Sequence, residues 1–444
     1  MTNDETLISA AWLITPTATG VRTIPDGAVL LHGDRIAAVG SRAELVTQAA
    51  PDQHLALPHH LLAPGLINAH AHSAMALLRG AADDLPLERW LRERIWPMEA
   101  ELLDEHFVGV GTRLAAAEML LGGTTTCADM YFHTAAGAQA YLEMGLRAML
   151  APGILDFPTR YAPDADGYVA LALAARDQFA GEPTLSFCLA PHAPYTVGDA
   201  TFTRVVAFAD ELGIPIHTHL QETAQEVADS VTQFGERPAA RLARLGVLGP
   251  SFFAAHGVTL NAEDIALLGK YGASVVHCPS SNLKLASGIA PITDMLRAGV
   301  NVALGTDGAA SNNRLDLFEE MRLAALLAKV QACDASALNA RTAFTLATLN
   351  GARALGLSDV TGSLEPGKSA DVIALSLDSP GLTPLFDPVS HFVYAASRTD
   401  VTHVWVNGRA RVVDAQLVDD AARVLAELAP QINALSARVA ALRH

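Results

Sequence analysis

Histidines offer the first chemistry in this chain of 444 residues, because several of its sixteen stand at the ends of short apolar runs. His70 and His72 in GLINAHAH are two apart. In an extended strand both side chains then face one way, and two imidazoles can reach one ion. Alone, such a pair reads equally well as two ordinary polar histidines. A third, His219, ends IPIHTHLQ, and Asp307 ends VNVALGTDG. Three nitrogen ligands and one carboxylate oxygen suit zinc and leave a position for a reactive water. Other divalent ions fit the same set, since occupancy follows metal availability as well as ligand type.

Glu222 lies three residues after His219. A carboxylate there can take a proton from an activated water and pass it to a substrate nitrogen. The same spacing describes a glutamate opening the next helix, where negative charge is favourable. His256 closes FFAAHGV, and a buried histidine bonded to backbone is the plain alternative to a catalytic one. Spacing makes Glu99, in WPMEA, a charge on a helix face. Trp90, Trp96, Met75 and Met98 crowd that stretch and read first as core, second as the lining of an apolar pocket.

The elements that must position these groups are legible as alternation. Apolar strand candidates are GLINAHAH, TTTCADM, LRAMLAPGI, LSFCLAPHA, IPIHTHLQ, FFAAHGV, SVVHCPS and VNVALGTDG. Helix-like stretches such as EHFVGVGTRLAAAEMLLG and RLDLFEEMRLAALLAKV lie between many of them. Parallel strands need helical crossovers and eight close a ring, so the pattern predicts an α/β fold, a TIM-like (β/α)8 barrel over 60–363. Polar residues gather at the C-terminal ends of its strands, where barrel enzymes carry their chemistry. Short strands and turns at both ends of the chain, including a Gly-Asp turn in GAVLLHGDRIAAVG and an Asn-Gly turn in VTHVWVNGRARVV, predict a small composite β-sandwich domain from 1–59 plus 364–444, closed by a C-terminal helix.

Composition narrows the classes. Half of the residues are hydrophobic, enough for a large core. A formal charge of −17 argues against nucleic-acid or anionic-membrane partners. Apolar stretches are broken before membrane-spanning length, and MTNDETLISA lacks the form of a signal peptide. Cys127, Cys188, Cys278 and Cys333 are far apart with no CxxC pair, which suits free thiols in a reducing cytoplasm. The H-x-E and P-C-x-x-C patterns of one class of zinc nucleobase deaminases do not occur.

PGLINAHAH, IHTHLQE, AHGV, HCPSSNLKL and LGTDG together resemble the amidohydrolase superfamily over nearly the whole chain. The stretch INAHAHSAMALLRGAADDLPLERWLRERIWPMEA resembles its 5-methylthioadenosine/S-adenosylhomocysteine deaminases. The resemblance implies one zinc per subunit held by His70, His72, His219 and Asp307. Two-metal relatives bridge their ions with a modified lysine at the end of the fourth barrel strand. None of Lys270, Lys284, Lys329 and Lys368 stands there, where the chain has His192. The resemblance also implies catalytic roles for Glu222, His256 and Asp307, with Glu222 and Asp307 also touching substrate. Glu99 would accept from ribose hydroxyls, His192 would contact substrate, and Arg160 in DFPTRYAP would reach its far end. The expected reaction is hydrolytic deamination of a small nucleoside by a homo-oligomer. A guanine- or cytosine-type deaminase, an s-triazine hydrolase, and a non-catalytic barrel scaffold are the competing readings.

Overall fold

Turn residues divide the opening residues of the computed structural model, which describes residues 5–48 and 51–443, into long strands. These are β1 (Glu5–Thr17), β2 (Gly20–His32), β3 (Arg35–Ser41) and β4 (Gln53–Pro64). The strand β4 runs through the expected boundary at 59/60, and its Leu61 and Leu62 still pair with β1. There follow β5 (Leu66–Ala71), β6 (Thr124–Tyr131), β7 (Arg147–Ile154), β8 (Leu185–Phe187), β9 (Ala190–Pro191), β10 (Ile216–Leu220), β11 (Phe252–His256), β12 (Ser274–His277) and β13 (Asn301–Leu304). The strands β14 (Val372–Ser376), β15 (Val401–Val406), β16 (Arg409–Val413) and β17 (Gln416–Leu417) return the chain to the first sheet.

All eight expected barrel strands form, the fourth as the interrupted pair β8 and β9. Parallel pairing links β5 through β8 and, separately, β10 through β13. Backbone bonds across Leu189 and Ile216 join the two runs. The ring closes between β13 and β5 by other means. Asn68 exchanges two bonds with Thr306, at 2.8 and 3.0 Å, and the Asp307 N–H donates to the His70 carbonyl at 3.0 Å. Small and apolar side chains fill the interior, among them Ala69, Ala128, Met149, Ala190, Phe253 and Ala303. Helices cover the outside, and both stretches expected as helices are present, as Glu105–Leu121 and Leu317–Ala332. Asp104 and Asp316 cap them by accepting from free first-turn N–H groups.

The terminal strands form one sheet in the order β17-β16-β15-β14-β4-β1-β2-β3. It folds over on itself, because β3 also bonds to the run 367–370 just before β14. Its two faces enclose a core that includes Ile8, Leu13, Val29, Leu62, Val372 and Trp405. The Asn-Gly turn is Asn407–Gly408, with φ of 52° and 75°, the left-handed pair that a tight hairpin requires. A Cβ on Gly408 would lie 2.1 Å from the Gly33 carbonyl oxygen, so the expected Gly-Asp turn and this one touch. The C-terminal helix, Asp419–Ala441, departs from the β unit in which it was expected. Its Leu428, Leu435 and Val439 pack on the barrel side with Phe107 and Val110, because that helix surface is apolar too.

Between β5 and the helix Glu105–Leu121 a long segment folds as short turns over the mouth of the barrel, ending in the helix Trp96–Leu102. Gly305 allows the barrel to close beside it, since a Cβ there would lie 2.9 Å from His70 Cβ, N and O. Gly305→Ala is therefore expected to destabilise the fold by about 1–3 kcal/mol through overpacking. Thermal unfolding measures it, and an unchanged midpoint would show that this approach is not a constraint.

Candidate metal and active site

At the C-terminal mouth of the barrel, Asp307 Oδ1 lies 3.4 Å from His70 Nε2 and 3.2 Å from His72 Nε2. His72 Nε2 lies 3.3 Å from His219 Nε2. The other ring nitrogens reveal which atoms carry protons. His72 Nδ1 donates to the Met130 carbonyl at 2.5 Å and His219 Nδ1 to the His192 carbonyl at 2.7 Å. A carbonyl can only accept, so both Nε2 atoms present lone pairs to the centre. The His70 case passes through one more ring. His217 Nδ1 donates to the Phe253 carbonyl at 2.9 Å, which leaves His217 Nε2 to accept from His70 Nδ1 at 2.8 Å. His70 Nε2 is thereby left with a lone pair, buried and without a hydrogen-bond partner.

Lone pairs and a carboxylate oxygen facing one another at these distances need a cation between them. Ligands about 2.0–2.2 Å from a common zinc adopt this spacing, so the residues fit such an ion. Burial pushes His70 down to about 4, which favours the neutral ring with its lone pair. Burial would raise Asp307 itself, yet its carboxyl lies well below the carboxylate range. Ser281 and Ser311 hydroxyls donate to its Oδ2 at 2.6 and 2.9 Å, and the Gly308 N–H to its Oδ1 at 2.8 Å.

Glu222 follows β10 and is buried. Its Oε2 lies 3.7 Å from His256 Nε2, and its Oε1 has no hydrogen-bond partner. Burial raises its carboxyl above the ordinary range. His256 is oriented by Asn282, whose Oδ1 is 2.9 Å from its Nδ1. Three residues at these strand ends, Gln221, His256 and Asp307, adopt left-handed backbone at φ of 51°, 75° and 62°. Such strain in non-glycine residues persists where the surroundings fix it, and here the side chains of His256 and Asp307 face the cavity while Gln221 shapes the turn before Glu222. His277 is buried but does not line the cavity.

The cavity above this centre measures about 280 Å³. His192, at the end of β9, lines it, bonded to Thr196 Oγ1 at 3.1 Å and pushed down to about 3 by burial. Glu99 lines it from the helix Trp96–Leu102; Tyr131 donates to its Oε1 at 2.7 Å, and burial pushes it up to about 6. Trp90, Trp96 and Met75 are lining residues, joined by Leu91, Ile95 and Phe157, whereas Met98 is in the core behind them. Arg160 stands at the rim and donates to the Ala100 and Glu101 carbonyls at 3.2 and 3.1 Å, tying down the helix that carries Glu99. None of the four lysines lines the cavity.

All the expected site residues thus meet at one mouth. Sequence reasoning missed His217, Asn282, Ser281, Ser311 and Tyr131. His217 had a signal, because His217-Thr-His219 repeats the two-apart spacing of His70 and His72.

The chain matches the amidohydrolase family over residues 61–411, and a bacterial imidazolonepropionase-like composite domain over residues 27–50. It is 47% identical to a 5-methylthioadenosine/S-adenosylhomocysteine deaminase of Teredinibacter turnerae, covering 97% of this chain and 98% of that one. An adenosine deaminase from Xanthomonas campestris, solved with bound zinc, is similar with a TM-score of 0.95 and 46% identity over 98% of each chain. An atrazine chlorohydrolase of Arthrobacter aurescens complexed with zinc has a TM-score of 0.89 at 24% identity, covering 97% of this chain and 100% of that one; this likeness is one of fold.

Removing the ring that fixes the His70 tautomer should weaken metal binding without touching the metal. His217→Leu is expected to lower zinc affinity about 10- to 100-fold, the usual effect of losing a partner that orients a ligand. Competition with a chromophoric chelator measures this, and unchanged affinity would contradict the tautomer assignment.

Proposed function

The chain belongs to the amidohydrolase family and, within it, to the 5-methylthioadenosine/S-adenosylhomocysteine deaminases, and from that premise we propose that it hydrolytically deaminates 5′-methylthioadenosine or S-adenosylhomocysteine, or adenosine itself. The product is the 6-oxo nucleoside and ammonia. One zinc ion per subunit is proposed, held by His70, His72, His219 and Asp307.

The observation that carries the nucleoside reading is Glu99. Its carboxylate is fixed by Tyr131 inside the same cavity as the metal ligands and has acceptor capacity left for ribose hydroxyls. A free base or a triazine would leave that buried acceptor unpaired, which is unfavourable. The apolar wall of Trp90, Leu91, Ile95, Trp96 and Phe157 suits a thioether substituent on the ribose. Arg160 at the rim is assigned to the far end of the substrate, and His192 to the purine side.

When bound, the zinc ion supplies the Lewis acid that activates water at neutral pH. Glu222, whose protonated form burial favours, donates to a purine ring nitrogen and makes the neighbouring carbon more electrophilic. His256 Nε2, aimed by Asn282, steadies the oxygen that adds to that carbon. Asp307, held ionised, takes one proton of the attacking water and delivers it to the amine, which departs as ammonia, while the water's second proton returns to Glu222 as its oxygen becomes the 6-oxo group. Cys127, Cys188 and Cys278 are buried free thiols and Cys333 an exposed one, which suits a reducing compartment, and the enzyme is proposed to be cytoplasmic and, as its family resemblance implies, a homo-oligomer. Among the described residues no helix is long and apolar enough to cross a membrane.

Glu222→Gln is expected to lower kcat by about 10²- to 10⁴-fold with zinc still bound. Ammonia release from 5′-methylthioadenosine, S-adenosylhomocysteine, adenosine and adenine checks both parts. Full turnover by the variant would overturn the proton-transfer role, and preference for adenine would overturn the nucleoside reading.

A further inference from the structure

Glu222 has no hydrogen bond to hold its own carboxylate. Oε1 is unpartnered, and His256 Nε2 lies 3.7 Å from Oε2, beyond hydrogen-bond distance. Its aim is therefore set by backbone, and that backbone has an unusual anchor. Thr223 caps the helix Ala224–Phe234 and Glu226 is the third residue of it. This T-x-x-E spacing is that of a capping box, in which the glutamate would bond back to the cap residue's own N–H. Here the carboxylate reaches further. Glu226 Oε1 accepts from the Gln221 N–H and Oε2 from the Glu222 N–H, both at 2.8 Å.

Those two N–H groups precede the helix and belong to the turn that carries the catalytic carboxylate. Gln221 lies at φ 51°, so the turn stores strain that something must hold. The Gln221 carbonyl accepts from Thr259 N and Oγ1, each at 2.9 Å, and its side chain bonds to Asp264 and Ala239. Gln221 is thus pinned on every polar atom, whereas Glu222 is pinned only through its N–H. Glu226 itself is buried, and nothing places it in contact with the cavity.

We propose that Glu226 is the positioning residue for Glu222, clamping two successive backbone N–H groups so that the catalytic carboxyl faces the reacting ring nitrogen. The inference rests on the role given to Glu222 above. An ordinary helix-start glutamate would act on stability alone. A clamp acts on the reacting geometry, where a displacement of about 1 Å costs on the order of 100-fold in rate.

Glu226→Gln keeps size and helix placement but turns an amide donor toward one of the two N–H groups. It is expected to lower kcat by about 10- to 100-fold. The KM for 5′-methylthioadenosine should stay within about threefold and the zinc content should match that of the unaltered enzyme. Glu226→Asp, which is too short to reach both N–H groups, should show the same split and serves if the glutamine variant does not fold. A kcat within about threefold of the unaltered enzyme overturns the clamp. So does a loss accompanied by lost zinc or a matching rise in KM, which marks a general structural role. Glu222→Gln run alongside separates the two readings. If it is inactive while Glu226→Gln is fully active, only the clamp fails; if it is fully active, the role of Glu222 fails.

Discussion

Three imidazole lone pairs and a carboxylate oxygen face one another at the barrel mouth, and they cannot satisfy one another. Each proton that could have relieved the arrangement is committed outward, to the carbonyls of Met130 and His192 and, through His217, to that of Phe253. A cation between them is the partner that satisfies all four, and much of the surrounding structure serves to hold these donors in place. The barrel closes through Asn68 and Thr306 at the strand tips beside His70 and Asp307, and Gly305 gives up a side chain so that His70 can sit against it.

The two acidic groups nearest the chemistry are driven in opposite directions by their surroundings. Asp307 accepts from two serine hydroxyls and a backbone N–H, which favour its ionised form against burial. Glu222 is buried with almost no compensation, which favours its protonated form. Two carboxyl groups with such different environments divide acid and base roles without any difference in residue type. Left-handed backbone at His256 and Asp307 accompanies side chains that face the cavity, and at Gln221 it shapes the turn that carries Glu222, at a conformational cost that the folded barrel offsets.

Much of this was legible in the residues themselves. The alternation of apolar strands and helices gave the barrel because a parallel strand needs a crossover, and all eight candidate strands are present. His70, His72, His219 and Asp307 were legible because each ends an apolar run, and strand ends are where barrels expose chemistry. Less visible were groups whose meaning depends on distant partners. His217 matters only because Phe253, far along the chain, offers a carbonyl, and Ser281 matters only because β12 brings it beside Asp307. Glu226 looks like an ordinary capping residue until its bonds are followed past Thr223. The C-terminal helix follows the last β strands in sequence yet packs on the barrel side, because sequence proximity is silent about which apolar surface a helix will cover.

Zinc K-edge X-ray absorption on the protein, combined with metal content per chain, tests the central claim most directly. Convergence of His70, His72, His219 and Asp307 predicts one zinc per chain, surrounded by nitrogen and oxygen donors at about 2.0–2.2 Å with three imidazoles among them. A sulfur donor, a second zinc nearby, or a metal with fewer than three imidazoles would contradict it.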